Sequence, residues 1–375
     1  MVVVGAGPAG AATALGALRA DPGLRVLLLD RAAFPRDKAC GDGVAPHVLD
    51  VLAGVGVTGL LDDRVPVRSL ELRARDAGVV RDMKRPGWVV PRTLLDARLV
   101  EAAVAAGACL QQERVRTIEV LEDGVRLAGA RARVVVGADG AYSTVRTVIG
   151  LRPGQRRAVA IRGYAPVPAE RRGAQVIVFA DRRQPAYAWS FDRGDGLANV
   201  GYGELRSSGD SADPPTRAMF LAAVEELLPE ATTGATSWRA SHLPLSSWRW
   251  QQPDGRVLLA GDAAGLVNPV TGEGIYYAVA TGVLAGRAAA AAIAAGDEDG
   301  AGRRHRRAVR GLLGTHLRHT DAASRLVSVP AVVGAGLSAA ARDQRVFDDL
   351  VELGLGRGRL RARTVRGLIA ATRRQ

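Results

Sequence analysis

Lysine is almost missing from this chain of 375 residues: Lys38 and Lys84 are the only two among 51 lysine and arginine side chains. With 45 glycines and abundant alanine alongside, the arginine bias reads as high-GC coding rather than a selected property. Cysteine is equally scarce. Cys40 and Cys109 cannot build a disulfide framework, and a strand starting at the second residue leaves no room for a basic segment and signal core, so a reduced, cytoplasmic protein is expected. Aromatic residues make up only 4%, which with no recognition module argues against nucleic acid despite a net charge of +13. Long uncharged runs are missing too. Gly274 to Gly286 stops at Arg287, and Leu326 to Ala341 carries Pro330, whereas a membrane span needs about 20 apolar residues. The first run reads as a helix and the second as a packed helix or a hydrophobic lid. His316 and His319 are spaced i, i+3 near Asp321, but no cysteine or second carboxylate completes a metal site, and none is expected.

What is present starts with Val2-Val3-Val4, a buried-strand run, followed by Gly5-Ala6-Gly7-Pro8-Ala9-Gly10 and an alanine-rich helix through Thr13, Leu15 and Leu18. Strand, G-x-G-x-x-G and helix in that order form a dinucleotide fingerprint: Gly5, Gly7, Ala9 and Gly10 let backbone approach a pyrophosphate at a helix N-terminus. A second strand, Arg25 to Leu29, ends in Asp30 and then Arg31. Asp30 is placed to accept from ribose hydroxyls, which favours FAD or NAD over NADP.

Two later stretches choose between those. Gly137-Ala138-Asp139-Gly140, after Val134-Val135-Val136, resembles the aspartate-glycine motif of the p-hydroxybenzoate hydroxylase-like flavoproteins. Gly261-Asp262-Ala263-Ala264-Gly265, with Asn268-Pro269-Val270-Thr271-Gly272-Glu273-Gly274-Ile275, resembles their second FAD motif. The resemblance implies that Asp139 lies at the cofactor, that Asp262 holds sugar or ribityl hydroxyls, and that Pro269, Gly272, Gly274 and Ile275 face the flavin's N1/O2 edge. One non-covalent FAD is expected.

These motifs are far apart, so the cofactor domain is expected to be discontinuous, at 1–63, 92–151 and 249–302. The segments 64–91 and 152–248 read as a substrate domain. Ser69 to Ala74, Gln175 to Phe179 and parts of 185–203 alternate at period two, and are expected to pair into one antiparallel sheet over the flavin. Beyond Gly302 the pattern turns helical, including Val346 to Leu353 closed by Gly354. Cys109, just after a helix ending at Gly107, reads as core. The expected class is α/β (α+β overall): a Rossmann-type FAD-binding domain, an inserted β-sheet domain and a small C-terminal helical region at 303–375. That region carries 16 arginines against five acids, a basic surface suited to peripheral contact with an anionic membrane.

Phe34-Pro35-Arg36-Asp37-Lys38-Ala39-Cys40-Gly41-Asp42-Gly43 and Ala186-Tyr187-Ala188-Trp189-Ser190-Phe191-Asp192 closely resemble the geranylgeranyl reductase family, FAD enzymes that saturate carbon–carbon double bonds of isoprenoid chains. Asp192 stands where the family's Y-x-W-x-F-P motif has proline. The resemblance places Cys40, Gly41 and Gly43 beside the flavin, Arg92 at its phosphate or ribityl region, and Val115 at adenine through its backbone, on the strand after the helix that Leu94 begins. Tyr187, Trp189 and Phe191 fall on one face of a strand and suit an apolar substrate. Tyr187 and Cys40 are the candidate proton donors. With a single G-x-G-x-x-G, reducing equivalents come from NAD(P)H, ferredoxin or a quinol. An aromatic hydroxylase or substrate oxidase on the same motifs stays open, as does a non-catalytic binder of this fold; a halogenase is disfavoured because its W-x-W-x-I-P and tunnel lysine are missing. Substrate and oligomeric state are not legible.

Overall fold

The computed structural model describes residues 1–75, 77–152, 154, 156–181, 185–206 and 215–372. Elements are numbered in chain order. Strands β1 (Val2–Val4), β2 (Leu27–Asp30), β6 (Cys109–Gln112), β10 (Val135–Gly137) and β16 (Val257–Leu259) form a parallel sheet in the order β16-β10-β1-β2-β6. The inner strands are apolar on both faces because both faces are covered. Val3, Leu28, Val136 and Leu258 pack toward helices α1 (Pro8–Ala20) and α6 (Ile275–Ala294). Val2, Leu29, Val135 and Leu259 pack toward a small antiparallel sheet, β7 (Ile118–Leu121), β8 (Gly124–Leu127) and β9 (Ala130–Ala132). Cys109 is exposed rather than core, because β6 is the sheet's edge strand and all four of its residues are exposed.

Helices α1 and α6 meet backbone to backbone, which explains their wealth of alanine and glycine. A Cβ on Gly282 would lie 2.3 Å from the Ala9 carbonyl oxygen, and one on Gly286 2.0 Å from that of Thr13. This contact fixes the first turns of α1 against the middle of α6. Among the described residues α6 is the helix long and apolar enough to cross a membrane, yet it is mostly buried inside the protein. Helices α2 (Pro46–Ala53), α3 (Arg92–Ala105) and α4 (Thr144–Val148) complete this half.

The second sheet has eight strands in the order β15-β11-β14-β13-β12-β4-β5-β3: β3 (Gly43–Val44), β4 (Val67–Ala74), β5 (Ala77–Val89), β11 (Arg157–Pro166), β12 (Ala174–Phe179), β13 (Ala186–Asp192), β14 (Leu197–Arg206) and β15 (Thr236–Pro244). It is mixed, not purely antiparallel: β4 and β12 run parallel. They belong to separate insertions, and the long connection through α3 and β11 lifts the hairpin constraint that forces antiparallel neighbours. Helix α5 (Arg217–Leu227) covers one face, burying Phe220 and Val224 against Ala188, Val200 and Tyr202.

Helices α7 (Ala301–Leu326), α8 (Pro330–Arg342), α9 (Gln344–Leu355) and α10 (Ala362–Thr372) follow; residues 373–375 of the basic region lie outside the described residues. Pro330 breaks the apolar run beginning at Leu326, and α7 and α8 meet at 116°. Val333, Leu337 and Phe347 pack on Leu70, Val79 and Met83 of β4 and β5. Gly354 does not close α9, which continues to Leu355 and is capped by Gly356. It is instead a docking point: Asn268 Nδ2 and Thr271 Oγ1 donate to its carbonyl at 3.1 and 2.8 Å, and a Cβ there would sit 2.8 Å from Thr271 Cγ2.

Candidate functional site

One cavity of about 1170 Å³ runs between the two sheets and under the C-terminal helices. At one end β1 delivers the chain into Gly5, Gly7 and Ala9, and no side chain caps α1. Its first-turn N–H groups therefore offer a cradle for an anion. Asp30 lies at the end of β2, its Oδ2 accepting from Ala6 N at 2.8 Å and its Oδ1 from Ala32 N at 2.9 Å. Arg92 is buried and fork-bonded to Asp96 at 2.7 and 2.9 Å, and Arg36 reaches the same carboxylate at 3.1 Å. These guanidiniums bring positive charge beside the cradle: a Cβ on Gly7 would meet Arg36 Nη2 at 3.1 Å.

Asp139 caps the next corner. Its oxygens accept from Ser143 Oγ and from the backbone N–H groups of Thr144 and Val145 at 2.5, 2.7 and 3.2 Å. Arg146 then ties the corners together by donating to the carbonyls of Ala141 and Ala263 at 2.7 and 3.1 Å. Asp262 follows β16 and pairs with Lys38 at 2.9 Å. Glu273, half-buried at the cavity wall, has its carboxyl pushed up to about 7 by burial, opposed by the N–H groups of Tyr276 and Ile275.

The cavity brings together Gly5, Gly7, Ala9, Asp30, Arg31, Cys40, Gly41, Gly43, Arg92, Val115, Asp139, Asp262, Pro269, Gly272, Gly274 and Ile275 with the wall of Tyr187, Trp189 and Phe191. Gly10 is the exception among the expected residues. A Cβ there would sit 1.7 Å from the Gly5 carbonyl oxygen, so it serves the close helix–strand approach rather than the cavity lining. Val115 lies three residues beyond the end of β6, not on that strand.

The three aromatic rings are contiguous, with centroids 5.9 Å apart from Tyr187 to Trp189 and 6.2 Å from Trp189 to Phe191. Facing them is the Cys40–Gly43 loop: a Cβ on Gly41 would lie 3.5 Å from the Phe191 ring and 3.9 Å from Trp189 Nε1. Burial pushes the Cys40 thiol up, away from the thiolate. Sequence reasoning missed the polar cluster beneath this loop. Asp42 Oδ2 accepts from Tyr164 Oη at 2.6 Å and Asn199 Nδ2 at 2.9 Å, and Asn199 Oδ1 accepts from Trp189 Nε1 at 2.8 Å. The lone signal was a charged residue inside a glycine-rich loop; its partners come from β11 and β14, far along the chain. Arg36 and Lys38 were missed as site residues for the same reason, their partners being Asp96 and Asp262, and Glu273 was missed although its partner, Tyr276 N, is local.

An FAD binding domain family model matches residues 1–302. The menaquinone reductase of Mycolicibacterium smegmatis is 35% identical over 321 residues, spanning 76% of this chain and 75% of the relative. This chain belongs to the geranylgeranyl reductase family of FAD-dependent oxidoreductases. A digeranylgeranylglycerophospholipid reductase of Methanopyrus kandleri is 32% identical over 313 residues, covering 78% and 77% of the two chains. The same fold occurs in a geranylgeranyl bacteriochlorophyll reductase-like protein of Thermoplasma acidophilum, at TM-score 0.79 and 18% identity over 99% of this chain and 94% of that one.

The residues fit the FAD that the family implies. A glycine cradle at the uncapped start of α1, cationic Arg36 and Arg92, and the Asp30 carboxylate at the end of β2 line one continuous groove leading to the aromatic wall.

Proposed function

We propose that this protein is an FAD-dependent reductase that saturates carbon–carbon double bonds in an isoprenoid or similarly apolar chain. The observation that carries this reading is the composition of the cavity beyond the cofactor groove. Past Tyr187, Trp189 and Phe191 the lining becomes aliphatic: Ile177, Leu326, Val333, Leu337, Leu350 and Leu368. A long apolar arm joined to a flavin groove suits a flexible hydrocarbon. The names of the relatives, reductases of menaquinone and of a digeranylgeranyl lipid, support the same class of substrate.

In this reading Gly5, Gly7 and Ala9 receive the pyrophosphate, Asp30 the adenosine ribose, Val115 the adenine and Asp262 the ribityl or sugar hydroxyls. Arg31 lies beside the ribose, and Asp139 shapes its corner through the caps it makes. Arg92 supports the phosphate region, while Pro269, Gly272, Gly274 and Ile275 form the edge where charge collects on reduction. The cofactor supplies hydride chemistry at N5. The protein's part is to press the alkene against that face with Phe191 and Trp189 and to keep water out. Cys40 and Tyr187 are poor acids here. Burial raises both, and the Tyr187 hydroxyl already donates to the Thr271 carbonyl at 2.5 Å. The reductant is external: NAD(P)H, ferredoxin or a quinol.

The cavity opens near the α7–α8 turn, since Leu326 both lines it and is 49% exposed, with Val329 51% exposed alongside. Peripheral docking there, aided by the basic C-terminal helices, would let a membrane-borne chain enter tail first. The test is anaerobic incubation of dithionite-reduced holoprotein with a lipid and quinone extract, followed by mass spectrometry. Products two hydrogens heavier in the isoprenoid chain support the reading. Substrate-dependent dioxygen consumption coupled to NAD(P)H oxidation, with an oxygenated product, overturns it in favour of a hydroxylase.

A further inference from the structure

Saturating an alkene takes a hydride on one carbon and a proton on its neighbour, and the described cavity contains one group whose geometry suits the second role. Asp42 lines the cavity in the loop facing Trp189 and Phe191, and its carboxyl is wholly buried. Oδ2 is saturated by two donors, Tyr164 Oη and Asn199 Nδ2. Oδ1 is the buried carboxylate oxygen that has no hydrogen-bond partner among the described residues. A buried oxygen without a donor is costly unless it carries a proton or meets a ligand. Donors on Oδ2 leave the acid proton to Oδ1 and at the same time stabilise the anion left when that proton departs.

Building on the reductase reading above, we propose that Asp42 is the acid that protonates the substrate carbon during double-bond saturation. The Oδ1–H bond breaks as the alkene's π pair forms a new C–H bond with that proton. The hydride for the neighbouring carbon, with its two electrons, would be supplied by reduced FAD held in the groove, and Asp42 is left as a carboxylate. Solvent reprotonates it between turnovers, and dithionite or the physiological reductant resupplies the two electrons.

The surroundings agree with such a role. Burial pushes the Asp42 carboxyl up to about 6, opposed by the Tyr164 and Asn199 bonds and by the charges of Arg162 and Arg92. An acid near the operating pH gives up its proton and recovers it readily. The charged and titratable groups around it are Arg162 and Tyr164 from β11, Arg92 from α3, and Cys40 from its own loop, whose Sγ accepts from Asp42 N. Arg162 stacks on the Tyr164 ring at 4.5 Å and is itself neutralised by Asp37. The backbone holds the geometry: Asp42 sits at φ 60°, in the left-handed region that Asp and Asn tolerate among non-glycine residues, and its carbonyl accepts from Val90 N at 2.8 Å. Among the other cavity-lining acids, Asp30 and Asp139 are held by the bonds described, Asp262 pairs with Lys38, Asp37 pairs with Arg162 and Arg239, Glu204 accepts from Tyr202 Oη, and Glu273 accepts from Tyr276 N in the first turn of α6.

The experiment uses full-length holoprotein, wild type and Asp42→Asn, a variant that keeps shape, left-handed backbone and an acceptor for Tyr164. FAD content and circular dichroism are expected to be unchanged. Infrared difference spectra across pH 4–8 should show a protonated-carboxyl band in wild type, titrating near 6 and missing in Asp42→Asn. With dithionite-reduced protein and geranylgeraniol in detergent micelles, product formation in deuterated buffer should fall at least 100-fold in the variant. Wild-type product should carry one solvent deuterium per saturated bond, and its rate should drop as pH rises above 6. Equal rates for the two proteins, or no Asp42-dependent infrared band, overturn the proposal while leaving the reductase reading intact. Wild-type protein that binds FAD and shows the band but leaves every isoprenoid alkene untouched overturns the reductase reading, and this proposal with it.

Discussion

Tyr187 donates its phenolic hydrogen to the carbonyl of Thr271 across 2.5 Å, so the aromatic wall of the second sheet is bolted to the loop that leads into α6. Thr271 in turn donates to Gly354 in α9. Three regions widely separated in sequence thus meet at one turn, the turn that carries Gly272 and Gly274. Burial raises the Tyr187 hydroxyl well beyond its ordinary range, which keeps it a donor at all physiological pH. Tyr187→Phe leaves a carbonyl without its partner and should cost about 1 kcal/mol of stability. The FAD dissociation constant should rise several-fold as the loop loosens. Melting curves and FAD fluorescence titration read the two effects; a lower melting temperature with unaltered FAD affinity would show that the loop is held without Tyr187.

Asp262 sits at the far side of that loop, paired with Lys38 at 2.9 Å. Asp262→Ala removes the expected acceptor for the cofactor's hydroxyls and strands a lysine at the groove. FAD affinity should weaken by about 1–3 kcal/mol, roughly tenfold to more than a hundredfold. Circular dichroism of the apoprotein should stay native, because Asp262 is not a core residue. Unchanged affinity in a folded variant would remove Asp262 from the site.

The parts of this site legible in the sequence are those whose chemistry is local. Gly5-Ala6-Gly7 after a strand, Asp30 at the end of the next strand, and the corners at Asp139 and Asp262 each encode their own turn within about a dozen residues. Asp42 was not legible because its meaning comes from Tyr164 and Asn199, which only strand pairing brings to it. Cys109 misled for a related reason: an apolar residue type following a helix says nothing about which strand ends up at the sheet's edge. The parallel β4–β12 pair depends on two insertions meeting, and period-two alternation is blind to direction. Gly354 was read as a helix stop, when its missing side chain makes room for Thr271.

The basic C-terminal region yields a quantitative expectation about membranes. Part of its charge is already engaged in ion pairs: Arg361 and Arg363 with Asp349, Arg325 with Asp321, Arg303 and Arg304 with Asp297, Arg306 with Asp254, and Arg345 with Asp343. The remaining arginines should bind anionic vesicles with roughly 1 kcal/mol per well-placed side chain, screened by salt. Cosedimentation with phosphatidylserine-containing vesicles should exceed that with neutral vesicles at low salt and converge with it at high salt. Equal binding to both throughout would leave coding bias as the explanation for the arginines.

Asp42 also leaves a mark on stability. Its folded-state pKa of about 6 lies above the ordinary 3.8, so the folded protein holds this proton more tightly than the unfolded chain. The group's contribution is most favourable below about pH 4, declines as pH rises, and levels off above about 6. A shift of this size corresponds to at most about 3 kcal/mol. Asp42→Asn escapes the penalty, so its melting temperature should overtake wild type as pH rises from 4 to 8. A difference independent of pH would mean that the buried carboxyl titrates normally.

The aromatic wall separates packing from substrate binding because its members are buried to different depths. Trp189 is core as well as wall: it is 5% exposed, donates to Asn199, and rests on Gly201 so closely that a Cβ there would overlap the indole at 2.3 Å. Trp189→Ala should therefore cost about 3–5 kcal/mol and lower the melting temperature sharply. Phe191 is half-buried, stacks on Trp189 with 29° between the ring planes, and faces Gly41 across the groove. Phe191→Ala should lose only the ring-pair energy of about 0.5–1.5 kcal/mol from the folded state. Its main effect belongs to the substrate, whose hydrocarbon it would hold against the flavin. FAD content and reduction by dithionite should be unchanged, while transfer to an isoprenoid alkene weakens at least tenfold. If Phe191→Ala instead matches Trp189→Ala in lost stability and turns over normally per bound flavin, the wall is packing alone, and the case for an apolar substrate falls back on the aliphatic arm.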